Sequence, residues 1–218
     1  MKEYIIKTYI TIKKATTNEI DIKKSRFITN LQRVNSADEA KDFIEQIKKE
    51  NYKATHNCYA YIIGEHNEIQ NTSDNGEPSR TAGVPMLDTL KLMKVQNVVA
   101  VVTRYFGGIK LGAGGLVRAY SNSVSNAIQK VGRVQGIEQQ KVILKIAYNQ
   151  LDPLKYWLNQ KSITISDIQY AANVTIIFFV NKNEVKPIVQ DLNNQLNGKA
   201  NLELSDIKFN EITYKNGD

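Results

Sequence analysis

The stretch "NVVAVVTRYFGGIKLGAGGLVRAYSNSVSNAIQKVG" (Asn97–Gly132) decides the fold. It opens on a β-branched apolar run, the pattern of a strand buried on both faces. It ends with Leu116, Val117, Tyr120, Val124, Ala127, Ile128 and Val131 on a helical period, and Gly132 suits the C-cap. Between strand and helix lie Gly107, Gly108, Gly112, Gly114 and Gly115, with Arg104, Lys110 and Arg118 in or beside the loop. Two readings fit these glycines. They permit positive φ and close packing of helix on strand, and they let a ligand approach the backbone. The helix after Gly112 presents unpaired amides and a positive dipole end, which suit phosphate.

Working outward toward the N-terminus, "SDNGEPSRTAG" (Ser73–Gly83) is an irregular polar turn, because Asn-Gly and Glu-Pro break regular structure. Pro85 then suits the first turn of a short helix through Met86, Leu87, Leu90 and Met93. "HNCYAYIIGE" and "EIQNT" read as a hairpin. "NSADEAKDFIEQIKKE" reads as a helix, with Ser36 and Glu39 as a capping box and Ala40, Phe43, Ile44 and Ile47 on its apolar face. "SRFITNLQRV" and "YIIKTYITI" read as strands, while "TTNEIDIKK" between them is ambiguous. Working outward toward the C-terminus, "KVILKIAY", "LDPLKYWLNQ", "ITISDIQY", "NVTIIFFV", "EVKPIVQDLNNQL" and "LELSDIKFNEITY" follow the order βαββαβ, a ferredoxin-like motif. "VGRVQGIEQQ" divides the blocks. The reading is α+β with two domains, residues 1–135 and 136–218.

Length, 42% hydrophobic and 23% charged residues are those of a globular protein with a real core. No apolar run approaches the roughly 18 residues of a membrane span, and "MKEYIIKTYITIKK" alternates where a signal peptide would be continuously apolar. A cytoplasmic location without membrane partners is expected. One cysteine, Cys58, excludes an internal disulfide framework, and with two histidines it makes a poor metal set, so no metal or cofactor is expected. The net charge of +7 is one-sided. Residues 1–137 hold 20 Lys/Arg against 13 Asp/Glu, and residues 138–218 hold nine of each. The excess points to an anionic partner for the first block, or to solubility alone.

Three motifs carry a resemblance. "THNCYAYIIG", "DNGEPSRTAGVPML" and "VVTRYFGGIKLGAGGLVRAY" resemble the signature of the IMPACT/YigZ family (UPF0029), over nearly the whole chain. The resemblance implies a ribosomal-protein-S5-domain-2-like fold for the first block. It implies the ferredoxin-like DUF1949 domain of bacterial members for the second. The same pair of folds occurs in tandem in elongation factor G, and eukaryotic IMPACT proteins regulate translation by blocking activation of a stress kinase. Two positions depart from the family pattern. Asn75 stands where Asp is common, which removes a carboxylate, and Arg80 stands where Gly is common, which adds positive charge.

The candidate site residues follow. Arg104, Gly107, Gly108, Lys110, Gly112, Gly114, Gly115 and Arg118 are read as an RNA- or phosphate-binding loop. It matches neither a Walker A box nor a full dinucleotide fingerprint. Asp74, Asn75, Gly76, Glu77, Pro78, Ser79, Arg80 and Thr81 form the signature loop, either functional or bonded to itself. His56 and Asn57 mark the signature strand. His56 and Cys58 share a strand face and could pair as base and nucleophile, although a small buried cysteine is commoner. Lys13, Lys14, Lys23, Lys24, Arg26 and Arg33, with Tyr105, Phe106 and Tyr120, could line a nucleic-acid surface. The leading expectation is a non-enzymatic, translation-associated regulator that binds RNA or the ribosome. The alternatives are a phosphate-ligand or nucleotide-binding enzyme using Asp74 and Glu77, and a protein-interaction module.

Overall fold

In the computed structural model, which describes residues 9–198 and 200–214, the apolar run is strand β6 (Val98–Tyr105), buried along nearly its whole length. It is the centre of a five-stranded antiparallel sheet with β2 (Thr16–Ile22), β3 (Ser25–Arg33), β4 (His56–Ile63) and β5 (Ile69–Ser73), in the order β2-β3-β6-β4-β5. Successive side chains of a strand face opposite ways, so β6 feeds two cores. Val98, Ala100 and Val102 pack with α2 (Gly83–Leu92) and α3 (Ala113–Val131), beside Phe27, Leu31, Met86, Leu90 and Tyr120. Val99 and Val101 pack with Ala40, Ile44 and Ile47 of α1 (Ala37–Glu50). Burial on both faces is what a continuous β-branched run requires.

Local signals set the helix ends. Ser36 Oγ accepts the Glu39 amide at 3.2 Å, while the Glu39 carboxylate reaches back to the Asn35 amide at 2.8 Å. The box thus closes one residue earlier than the usual reciprocal pair. Gly132 ends α3 at φ 77°, a conformation that favours glycine. The ambiguous "TTNEIDIKK" is strand β2, joined to β3 by a two-residue turn at Lys23 and Lys24, both with positive φ (46° and 65°). Lysines carry no turn signal of the Asn-Gly kind, so the pairing partner supplies what local sequence did not.

The second block follows β7 (Arg133–Ile146), α4 (Leu151–Gln160), β8 (Ile165–Tyr170), β9 (Val174–Asn181), α5 (Val185–Gln195) and β10 (Asn201–Thr213). The sheet runs β7-β9-β8 with β10 on the other side of β7, the strand order of a ferredoxin-like βαββαβ unit. Strand β1 (Tyr9–Ile12) also pairs β7; the beginning of the expected strand "YIIKTYITI" lies outside the described residues. Val142, Leu144, Ile176 and Phe178 bury one sheet face against Leu154 and Leu158 of α4 and Leu192 of α5. Within "VGRVQGIEQQ", the residues from Arg133 onward are part of strand β7. The described residues fall into two compact units, Tyr9–Gln135 with 212–214, and Gly136–Glu211. The α+β class expected from the sequence is the class of the structure. Among the described residues no helix is long and apolar enough to cross a membrane.

Candidate functional site

The signature motifs meet at one end of the first sheet. The signature loop is built around Asp74. Its Oδ2 accepts the Arg80 amide at 2.7 Å, and its Oδ1 accepts the Ala82 and Gly83 amides at 2.9 and 2.8 Å. The carboxylate thereby closes the loop and caps the start of α2, which has no cap of its own. Burial pushes the Asp74 pKa up, but the three amides outweigh it and hold it below the ordinary 3.8. A depressed carboxylate stabilises the fold above its unfolded pKa and loses that contribution as pH falls through the folded one. Asp74→Asn is therefore expected to be less stable than wild type at pH 7, with the gap closing below about pH 4. Denaturant melts across a pH series check this.

Asn75 (φ 41°) and Gly76 (φ 86°) make the left-handed bend. Asn75 Oδ1 accepts the Asn57 amide at 2.7 Å, and Asn57 Oδ1 accepts the Thr103 hydroxyl at 2.7 Å. An aspartate could accept the first bond equally, which explains why Asn is tolerated there. Thr81 Oγ1 donates to the Pro78 carbonyl at 2.7 Å. Pro78 and Ser79 are exposed. Arg80 sits at φ 64°, where a side chain is strained and glycine is not. Arg80→Gly is expected to raise stability by about 0.5–1 kcal/mol, read from the denaturation midpoint.

Glu77 and Arg104 are both buried, and they form an ion pair at 2.6 Å. The Tyr120 hydroxyl donates to the same carboxylate oxygen at 2.7 Å. Arg104 Nη2 donates to Ser25 Oγ at 3.3 Å, and its guanidinium lies 5.3 and 5.4 Å from the centroids of the Phe27 and Phe106 rings. Burial of this pair is a departure from the expected loop: Arg104 faces Glu77 and two rings, not open solvent. His56 Nδ1 lies 2.9 Å from the Asn75 carbonyl. A carbonyl only accepts, so Nδ1 carries the proton and Nε2 is left toward Glu77 Oε2, 3.7 Å away.

Cys58 is fully buried and bonds the Asp74 carbonyl and the Tyr120 hydroxyl. Burial pushes its thiol up to about 12, so neutral pH yields no thiolate. It packs; it is not poised as a nucleophile. Among the described residues no three His, Cys, Asp or Glu side chains gather as metal ligands would.

The glycines divide by role. A methyl group on Gly107 would overlap the Lys24 carbonyl and lie 2.6 Å from the Ser25 amide nitrogen, so this glycine seats the loop on the β2–β3 turn. Gly108 (φ 82°) and Gly112 (φ 70°) are conformational requirements with open space around them, and Gly114 also faces open space. Gly115 is tighter, with Leu111 Cβ 3.2 Å from its would-be methyl. Helix α3 begins at Gly112 with no side-chain cap and no acid in its first turn. Lys110 and Arg118 are exposed beside it.

Gly107 is where part of the N-terminal basic cluster meets the loop. The Lys23–Lys24 turn, some 80 positions away in the chain, lies against the glycine loop. Lys23, Lys24, Arg80, Lys110 and Arg118 are all exposed, and none is paired with an acid among the described residues. Arg26 differs, lying over the Tyr105 ring and 3.8 Å from Glu19. Tyr120 is core, fully buried and edge-on to Phe27. Ser25, which accepts from both Arg104 and the Gly107 amide, had no signal in the sequence.

An antiparallel sheet with helices on both faces and a basic glycine loop at one end, followed in the chain by a ferredoxin-like unit, define a two-unit α+β protein. Residues 23–128 match the Impact N-terminal domain, and residues 144–199 match a domain of unknown function, DUF1949. The chain is 44% identical over 210 residues to the IMPACT family member YvyE of Bacillus subtilis, covering 96% of this chain and 94% of that one. It is 39% identical over 158 residues to YigZ of Escherichia coli, covering 72% and 78%. A crystal structure of a hypothetical protein superposes with a TM-score of 0.58 at 32% identity, over 92% of this chain and 98% of that one. This chain belongs to the IMPACT family.

Proposed function

We propose that this protein is a translation-associated regulator that contacts RNA or the ribosome with the basic end of its first unit. One observation carries the reading: the fold sets the Lys23–Lys24 turn against Gly107 of the loop that bears Lys110 and leads into α3 with its Arg118, and leaves all four cations unpaired by acids among the described residues. Exposed, unpaired cations around a loop with open backbone suit a phosphate chain. The resemblance to eukaryotic IMPACT proteins implies a role in translational control, and a cytoplasmic location follows from the reading. The enzymatic alternative draws less support, because Asp74 is engaged by three amides and Glu77 by Arg104 and Tyr120.

Co-sedimentation with ribosomes and with rRNA over a salt series tests the reading. The comparison is a variant with Lys23, Lys24, Lys110 and Arg118 changed to Glu; Arg104 is left alone because reversing it would attack the fold. Binding that falls with salt, with a log–log slope reduced by about 0.7–0.9 per lost phosphate contact in the variant, supports it. No binding by wild type at low salt overturns it.

A further inference from the structure

Phe106 is the one aromatic side chain in the glycine loop, and it is 46% exposed. Exposure of a single aromatic is ordinary by itself; what sets Phe106 apart is its place among exposed cations in a loop with open backbone. This one is held in place. Its amide donates to Thr55 Oγ1 at 3.2 Å. Arg104 lies 5.4 Å from the ring centroid, and is itself paired with Glu77 and set over the Phe27 ring. The other aromatics at this end are committed elsewhere: Tyr105 bonds Asn51 and is covered by Arg26, and Tyr120 is buried. Ile109, 40% exposed, adds apolar surface two residues from Gly107, and nothing lies near the position a Gly108 methyl would take. Lys110 follows directly, and the Lys23–Lys24 turn abuts the neighbouring Gly107.

We infer that Phe106 is a stacking platform for an unpaired nucleobase, so that the basic end prefers single-stranded RNA over duplex. This rests on the RNA reading above and names its substrate class. Cations fix the phosphate chain, and an aromatic face takes a base of any sequence. A base inside a duplex has both faces stacked on its neighbours, and the surface of the duplex presents phosphates and groove edges instead.

The experiment measures binding of a labelled oligoadenylate and of an RNA duplex of equal length, over a salt series, for wild type, Phe106→Leu and Phe106→Trp. Leucine keeps apolar volume and removes the π face. Expected results are tighter wild-type binding to the single strand, and a roughly 5- to 150-fold loss for Phe106→Leu with the salt slope unchanged. Phe106→Trp retains binding, and its emission is quenched by the oligoadenylate.

Equal affinity of Phe106→Leu and wild type overturns the stacking role while leaving the basic-end reading intact. An equal loss on duplex overturns it too. If wild type binds no RNA at low salt, both readings fall. If Phe106→Leu keeps RNA binding but loses a protein partner recovered after nuclease treatment, the ring serves a protein and the inference fails. Thermal midpoints of the variants accompany the titrations; a Phe106→Leu loss that tracks unfolding, with Phe106→Trp equally weak, also overturns it.

Discussion

Glu77→Ala is expected to lower the free energy of unfolding by about 3–5 kcal/mol, the cost of leaving a buried charge without its partner. Glu77 is the point where three elements join. Its carboxylate takes Arg104 at the end of β6 and Tyr120 in α3, while its own amide closes the turn on the Asp74 carbonyl at 2.9 Å. Alanine leaves the Arg104 guanidinium dry and unpaired, with its Nε already lacking a partner among the described residues. It also removes the acceptor of the Tyr120 hydroxyl. Arg104→Met in the same chain is expected to recover part of the loss, because two adjacent apolar groups avoid the uncompensated charge. Urea denaturation of the two single variants and the double variant measures the coupling. A single-variant effect below about 1 kcal/mol would place the pair in the class of solvent-screened surface bridges and contradict its burial.

Gly107→Ala is expected to cost about 1–3 kcal/mol or more, because the added methyl meets backbone. The Lys24 carbonyl and Ser25 amide belong to a turn pinned by the β2–β3 register, in which Ile22 faces Ser25. A flexible side chain could swing away; this turn cannot. Gly114→Ala is the control. Its methyl would enter open space at the start of α3, where alanine outranks glycine as a helix former by about 1 kcal/mol. The pair separates the two readings of the glycine loop. Gly107 is set by packing. Gly114→Ala is expected to leave stability equal or higher, so weaker RNA binding in that variant would mark close approach of a ligand to the backbone. Melting temperatures and salt-dependent titration of both variants provide the check.

Periodicity by itself determined much of this protein. The β-branched run at 98–105, the helical spacing from Leu116 to Val131 and the Ser36 cap are local, and each is stated within a few neighbouring residues. The βαββαβ order of the second block was legible for the same reason. What local sequence could not state was pairing. "TTNEIDIKK" became a strand because β3 offered it a ladder, and its lysines took a turn conformation that no short-range signal announced. The site divides along the same line. Its motifs were visible, but the role of each residue was not. Arg104 looks like Lys110 and Arg118 in the sequence, three cations around five glycines. In the folded chain Arg104 is held by Glu77, which lies 27 positions earlier, while the other two face solvent beside lysines contributed by a distant turn. Whether a charge is buried or displayed depends on which groups the fold places around it, and those groups come from positions far apart in the chain.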